Sequence, residues 1–265
     1  MPQGAGETPP GAESLSARLH ELERKLSELA GPAERHAATE MRRVRDAAEP
    51  AWRRVTRGEP RWPASLGILA MIALQLALPD RLSPVNRALL PAIELALLVV
   101  LVAANPRRIE RTSRRLRALS LALIGVASLA NAWSVAHLVA SLVQGSTGNS
   151  AGPLLATGAN VWLTNVLVFA LWYWELDRGG PAARAVAADL DPDFLFPQMA
   201  TPETHVEWEP QFLDYLYVAF TNAAAFSPTD TMPLSRGAKA AMMLQEAVSL
   251  ITAGLVIARA VNVLH

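Results

Sequence analysis

One uncharged stretch constrains this chain more than any other feature. No Asp, Glu, Lys or Arg occurs from Ala118 to Trp174, a run of 57 residues. About 18 consecutive apolar residues already indicate a membrane-spanning helix, so the run has room for two. Charged residues make up only 18% of the whole chain, against about a quarter in soluble globular proteins. The sequence therefore predicts an all-α, polytopic membrane protein and excludes an ordinary soluble enzyme.

The hydrophobic segments predict five transmembrane helices. They cover residues 62–79, 88–104, 118–143, 154–174 and 238–264. The first contains 18 uncharged residues and would reach ~27 Å as a helix, just enough for the hydrocarbon core of a bilayer. Aromatic residues end the fourth, as is typical at a membrane interface. We expect these four spans at 62–174, and the fifth near the C-terminus, to form a helical bundle in the lipid bilayer.

The N-terminal region is polar. Residues 1–13 are rich in Pro and Gly and are predicted to be disordered. Residues 14–61 predict an amphipathic helical arm with about two heptads of leucine followed by a basic helix. The heptad leucines are Leu15, Leu19, Leu22, Leu26 and Leu29. They fit either a zipper that holds a homo-oligomer together or packing against the neighbouring arm or the membrane.

Charge is segregated along the chain although the net charge is zero. Residues 62–117 carry 8 basic and 3 acidic groups, whereas residues 175–214 carry 2 basic and 9 acidic groups. Six arginines crowd the loop between the second and third spans: Arg107, Arg108, Arg111, Arg114, Arg115 and Arg117. The positive-inside rule places this loop in the cytoplasm of a bacterial cell. The N-terminus and the acidic connector, 175–210, are then cytoplasmic too, and we expect the connector to dock on the loop arginines.

A shorter apolar segment precedes the last span. Residues 212–226 would form a helix of ~22 Å, too short to cross a bilayer comfortably. Such a segment is typical of a re-entrant half-helix, which membranes tolerate where protein or a water-filled cavity covers its irregular end. The sequence of residues 227–230, Ser-Pro-Thr-Asp, then predicts a turn. We favour this re-entrant form over a complete crossing, which would give six spans.

The order of features over residues 211–264 suggests a relationship. A short helix containing Phe220-Thr221 is followed by a turn of small residues, then Asp230 and Pro233, and a long helix containing glycine. This order resembles the pore helix, filter and inner helix of two-transmembrane potassium channels. It is also similar to a family of bacterial multi-pass membrane proteins with D-Y-L-Y-x-A-F-T, S-x-x-D and V-N patterns, found here at 214–221, 227–230 and 261–262. The resemblance implies a homo-oligomer, by analogy a tetramer, with a filter-like region made of Thr221, Asn222, Ala225, Phe226, Ser227 and Asp230.

The filter-like region departs from the potassium-channel pattern. Potassium filters resemble T-V-G-Y-G-D, whose glycines adopt conformations that a Cβ atom opposes. Here Ala225 and Ser227 stand where glycines would lie, and Phe226 replaces the tyrosine. We therefore expect monovalent cations as ligands but no potassium selectivity. The predicted topology also places the loop on the cytoplasmic side, opposite to its side in potassium channels.

Three charged residues lie well inside the predicted spans, Glu94, Glu246 and Arg259, whereas Lys239 lies at the start of the fifth. A carboxylate inside a bilayer normally faces protein or water, so each acid is either an ion or proton site or a packing residue near an interface. Glu246 and Arg259 lie 13 residues apart, ~20 Å along one helix. A pair between them would have to join different helices or subunits.

Polar residues recur about every third position of the third span: Ser128, Asn131, Ser134 and His137. They predict one polar stripe, which either lines a water path with His137 as proton shuttle or holds helices together by hydrogen bonds. We favour the second interpretation, at ~0.6 kcal/mol for each interhelical bond.

Other classes of function lack support in the sequence. The chain has no cysteine, no glycine-rich nucleotide loop, no nucleophile elbow and no zinc-protease motif. We expect no enzyme activity, no cofactor, no metal site and no binding to nucleic acid. The remaining alternatives to a pore-loop channel are a non-conducting scaffold or partner-binding protein, and a small transporter that uses Glu94, Glu246 and His137 as a proton relay.

Overall fold

The computed structural model describes residues 50–83, 86–109, 113–145, 150–187, 191–202, 204–225 and 230–264. The predicted disordered start, most of the N-terminal arm, and Phe226 and Ser227 of the filter-like region lie outside the described residues. Within those residues the structure is mostly helical. The prediction of an all-α chain is confirmed.

The helices follow the hydropathy pattern closely. They are α1 (Trp62–Ala77), α2 (Leu89–Ala104), α3 (Arg114–Val143), α4 (Ala151–Leu176), α5 (Pro181–Ala185), α6 (Pro197–Ala200), α7 (Phe212–Ala225) and α8 (Arg236–Leu264). Two short strands, β1 (Phe194–Leu195) and β2 (Met232–Pro233), pair antiparallel. Helices α3, α4 and α8 are long and apolar enough to cross a membrane, while α1 and α2 are shorter apolar helices. The architecture is that of a helical membrane bundle, and the number of five spans stays a prediction.

Helix α4 is the centre of the bundle and packs against α1, α3, α7 and α8. The ring nitrogen of Trp174, near the end of α4, donates a hydrogen bond of 2.8 Å to Glu59, so the end of α4 lies beside the start of α1. Ile109, in the loop after α2, donates its amide to the carbonyl of Glu59 at 3.2 Å. The start of α1, the arginine loop and the end of α4 therefore meet at one end of the bundle, as the charge pattern predicted.

The α7 segment enters and leaves the bundle at that same end. The amide of Phe212, the first residue of α7, donates to Glu59 at 3.2 Å. After α7, the amide of Leu234 donates to the carbonyl of Asp193 at 2.8 Å, and the amide of Asp193 donates to Asp177, which follows α4, at 2.7 Å. A helix that crossed completely would leave these contacts at opposite ends. The start of α7 and residues 230–234 therefore lie at the same end of the bundle, and the re-entrant half-helix stays a prediction.

The contact between α4 and α8 depends on a glycine. A Cβ atom on Gly158 would lie 2.6 Å from a methyl carbon of Val256. We expect Gly158→Ala to lower the free energy of unfolding in mixed micelles by about 1–3 kcal/mol, because the two helices must move apart. Adding Val256→Ala should restore part of the loss. Gly254→Ala is the control, because open space surrounds that glycine; a loss equal to that of Gly158→Ala would contradict the close approach.

Candidate functional site

The filter-like residue Asn222 lies in a buried hydrogen-bond network. Its side chain is 3% exposed and its amide nitrogen donates to the Met242 carbonyl at 3.1 Å and to Gln245 Oε1 at 2.9 Å. The Gln245 amide nitrogen donates in turn to the Ala219 carbonyl of α7 at 2.8 Å. Asn222 therefore ties the half-helix to α8 of its own chain.

The same network continues into α3 and α4. The Tyr173 hydroxyl donates to Gln245 Oε1 at 2.6 Å. Further along α8, Asn165 donates to Ser249 at 3.1 Å and accepts from Asn131 at 3.1 Å. These uncharged groups connect four helices through the apolar core. Asn131 and Asn222 were predicted from the sequence. Gln245, Tyr173, Asn165 and Ser249 were not, because a single polar residue within an apolar helix gives no periodic signal.

The other filter-like residues have separate environments. The Thr221 hydroxyl donates to the carbonyl of Tyr217, within α7, at 2.7 Å. Ala225 is the last residue of α7, and Asp230 is exposed. Among the described members of the filter-like region, only Asn222 bonds to another helix.

Three of the four polar residues of α3 form hydrogen bonds to other segments, and only His137 differs in its surroundings. Ser134 is buried and donates to the Leu82 carbonyl at 3.0 Å, and Ser128 accepts from the ring nitrogen of Trp172 at 2.8 Å. His137 instead is exposed and stacks near Trp133, with ring centroids 4.4 Å apart. A spacing of three residues drifts by about 60° per step on a helix of 3.6 residues per turn. Three steps therefore carry His137 to the side opposite Ser128.

The three intramembrane charges differ in their surroundings. Glu94 is completely buried, and the Gln75 amide nitrogen in α1 donates to its two carboxylate oxygens at 3.0 and 3.1 Å. Glu246 and Arg259 are half-buried in α8. Within the described part of the chain, neither of these two side chains forms an ion pair. Glu94 is thus bound by Gln75 of the same chain, whereas no described residue forms an ion pair with Glu246 or Arg259 of α8.

A buried ion pair holds the end of the bundle where the loops meet. Arg184 Nη2 lies 2.7 Å from Glu59 Oε1, and both residues are buried. Arg184 Nη1 also donates to the carbonyls of Trp174 and Asp177, each at 2.8 Å. Burial raises the pKa of the Glu59 carboxyl above its ordinary value, and Arg184 and the hydrogen bond from Trp174 oppose that rise. This cluster fastens α1, α4 and the connector to one another.

The described contacts of the acidic connector involve partners outside the arginine loop. Its buried Asp177 accepts from the Tyr215 hydroxyl at 2.5 Å, and its exposed Glu207 pairs with Arg54 at 2.5 Å. In the described ranges, no acidic residue of the connector forms an ion pair with an arginine of the 105–117 loop. Exposed pairs of that kind contribute only ~0–1 kcal/mol, so they did not determine the fold.

Comparisons with protein-family models, with curated proteins and with solved structures find no match for this chain. The likeness to potassium channels rests on the quoted sequence features and stays a prediction.

Proposed function

We propose that this protein is a subunit of an oligomeric pore-loop membrane protein that passes monovalent cations through a filter unlike that of potassium channels. The observation that carries the proposal is that α7 begins, and residues 230–234 lie, at the same end of the bundle. Irregular backbone at membrane depth is tolerated where protein or a water-filled cavity covers it. One such loop cannot enclose a pore, so conduction requires several copies.

The direction of α7 favours a cation near its end. Phe220 contacts the ring of Trp162, near the middle of α4, edge to face at 5.6 Å. The last turns of α7 thus lie level with the middle of α4, and the last turn of α7 has no basic residue. A helix C-terminus carries roughly half a negative charge, which attracts a cation in a low-dielectric setting.

Glu246 supports the same proposal. It follows Gln245 directly in α8, and Gln245 accepts a hydrogen bond from Asn222 in the last turn of α7. Its half-buried carboxylate has no ion pair or hydrogen bond to another described side chain. Because intramembrane carboxylates face protein or water, an unpaired one fits a position along a water path or beside another copy.

A second candidate is a non-conducting membrane scaffold. The bonds between Asn222, Gln245 and Ala219 favour it, since they give the half-helix a purely structural role within one chain. The transporter alternative gains no such support. Glu94 is bonded to Gln75 and His137 lies against Trp133, so the described contacts do not connect the proposed relay.

Reconstitution in liposomes tests the proposal. We expect wild-type protein to pass monovalent cations, and Glu246→Gln to change the flux by about tenfold, the effect of ~1.4 kcal/mol at a barrier. Lys239→Gln is the matched control, because Lys239 is exposed on the same helix; we expect its flux to equal that of wild type.

Two results would contradict the proposal of a channel and favour the non-conducting scaffold. One is the absence of flux at every voltage and pH from protein that remains folded. The other is a strictly monomeric protein in lipid nanodiscs at concentrations used for the flux measurements, because a monomer has only one loop.

A further inference from the structure

A cavity of about 280 Å³ lies beside the arginine loop, at the end of the bundle where α1 begins and α4 ends. Its polar wall includes Arg61, Arg114, Arg117 and Glu175. Its apolar wall includes Ile68, Leu101 and Leu171, from α1, α2 and α4. The network around Asn222 contributes nothing to this cavity, so the two sites are separate.

Arg61 is a buried arginine near Glu175, and its Nε atom has no hydrogen-bond acceptor among the described residues. It is 8% exposed. Its backbone amide donates to the Arg107 carbonyl at 3.1 Å, which fixes the residue at the cavity wall. A buried charged group without its hydrogen bonds is costly, so the arrangement favours a ligand that supplies an acceptor.

The charge of the polar wall favours an anion. Three arginines face one acid there, and the carboxylate of Glu175 already accepts a bond of 2.9 Å from Ser120. Ser113, the N-cap of the 30-residue helix α3, and its first residue Arg114 also line the wall. The N-terminus of a long helix adds partial positive charge.

The apolar wall requires a ligand with a hydrophobic part. Ile68, Leu101 and Leu171 are all buried against the bundle core, so a free inorganic anion would leave this half of the cavity unused. Basic pockets between membrane helices on the cytoplasmic side are typical sites for anionic lipid headgroups. The volume equals about nine water molecules, room for a phosphate and the first carbons of one chain.

We propose that this cavity binds an anionic amphiphile, with its phosphate at Arg61 and the start of its chain against Ile68, Leu101 and Leu171. The ligand is either a phospholipid of the surrounding bilayer or a free single-chain phospholipid. The site does not depend on ion conduction, and binding without flux would leave the proposal intact.

Binding of lysophosphatidate to the full chain in neutral detergent tests the site. We expect saturable binding of one molecule per chain, and a dissociation constant about tenfold higher for Arg61→Gln, corresponding to ~1.4 kcal/mol. Arg115→Gln is the matched control, because this exposed arginine follows Arg114 but is not part of the cavity wall; its affinity should match wild type.

Two further probes can overturn the proposal. Inorganic phosphate that binds as tightly as lysophosphatidate would show a simple anion site, and monoacylglycerol that binds equally would show apolar partition without charge recognition. If Arg61→Gln does not fold, Ser65→Leu fills the cavity from α1 without a change of charge. We expect it to abolish binding, and unchanged affinity in a folded Ser65→Leu protein would overturn the proposal.

Native mass spectrometry of protein released from nanodiscs identifies the source of the ligand. Phosphatidylglycerol retained by wild type, but lost from Arg61→Gln, would assign the site to a bilayer lipid. Binding of lysophosphatidate without retained phosphatidylglycerol would assign it to the free single-chain compound.

Discussion

Replacing Arg184 with methionine is expected to lower the free energy of unfolding by about 3–5 kcal/mol, the usual cost of breaking a buried ion pair from one side. Arg184 is 7% exposed. It bonds to Glu59 at 2.7 Å and to the carbonyls of Trp174 and Asp177 at 2.8 Å. Methionine fills similar space but leaves the Glu59 carboxylate buried without its cation. Denaturation by SDS in mixed micelles, followed by tryptophan fluorescence, measures the loss.

The control for Arg184 is an arginine in an exposed pair. Arg54→Met removes the partner of Glu207, which is 80% exposed, and should cost no more than ~1 kcal/mol. Combining Arg184→Met with Glu59→Gln should recover part of the loss, because no unpaired charge stays buried and the glutamine oxygen can still accept from Trp174 and Phe212. An Arg184→Met protein within 1 kcal/mol of wild type would contradict a structural role for the pair.

The helices could be predicted from the sequence because the signal for each lies within its own segment. The end of α4 was predicted at Trp174 and lies at Leu176, and α7 begins at Phe212 as expected. Charge also predicted correctly that the start of α1 and the arginine loop share one end, since the parity of spans determines the side. Neither prediction requires knowing which residues of different helices contact each other.

The contacts between helices could not be predicted in the same way. Gln75 and Glu94 are 19 residues apart and Tyr173 and Gln245 are 72 apart, and no local pattern relates one to the other. The predicted docking of acidic residues on the loop arginines used charge counts alone, and among the described residues no such ion pair occurs. Arg184 pairs with Glu59, outside that loop, because both are buried and desolvation makes each depend on the other.

The second large effect is expected at Gln245, which is completely buried. Its side chain accepts from Tyr173 and Asn222 and donates to the Ala219 carbonyl. Gln245→Leu should lower the free energy of unfolding by about 2 kcal/mol, because three interhelical bonds at ~0.6 kcal/mol each are lost within an apolar core. Thr221→Val is the control, since the Thr221 hydroxyl bonds only to carbonyls of its own helix, and it should cost less than ~0.5 kcal/mol.

Stability and ion flux measured on Gln245→Leu, with Thr221→Val as control, show whether the network only stabilises the fold or also shapes the pore. A structural network predicts that Gln245→Leu loses stability, while the fraction that remains folded passes ions like wild type. A network that shapes the pore predicts altered flux per folded protein, because the end of α7 shifts when its bonds to α8 are removed. A Gln245→Leu protein as stable as wild type would contradict both, since a buried Tyr173 hydroxyl and Asn222 amide cannot lose their shared acceptor without cost.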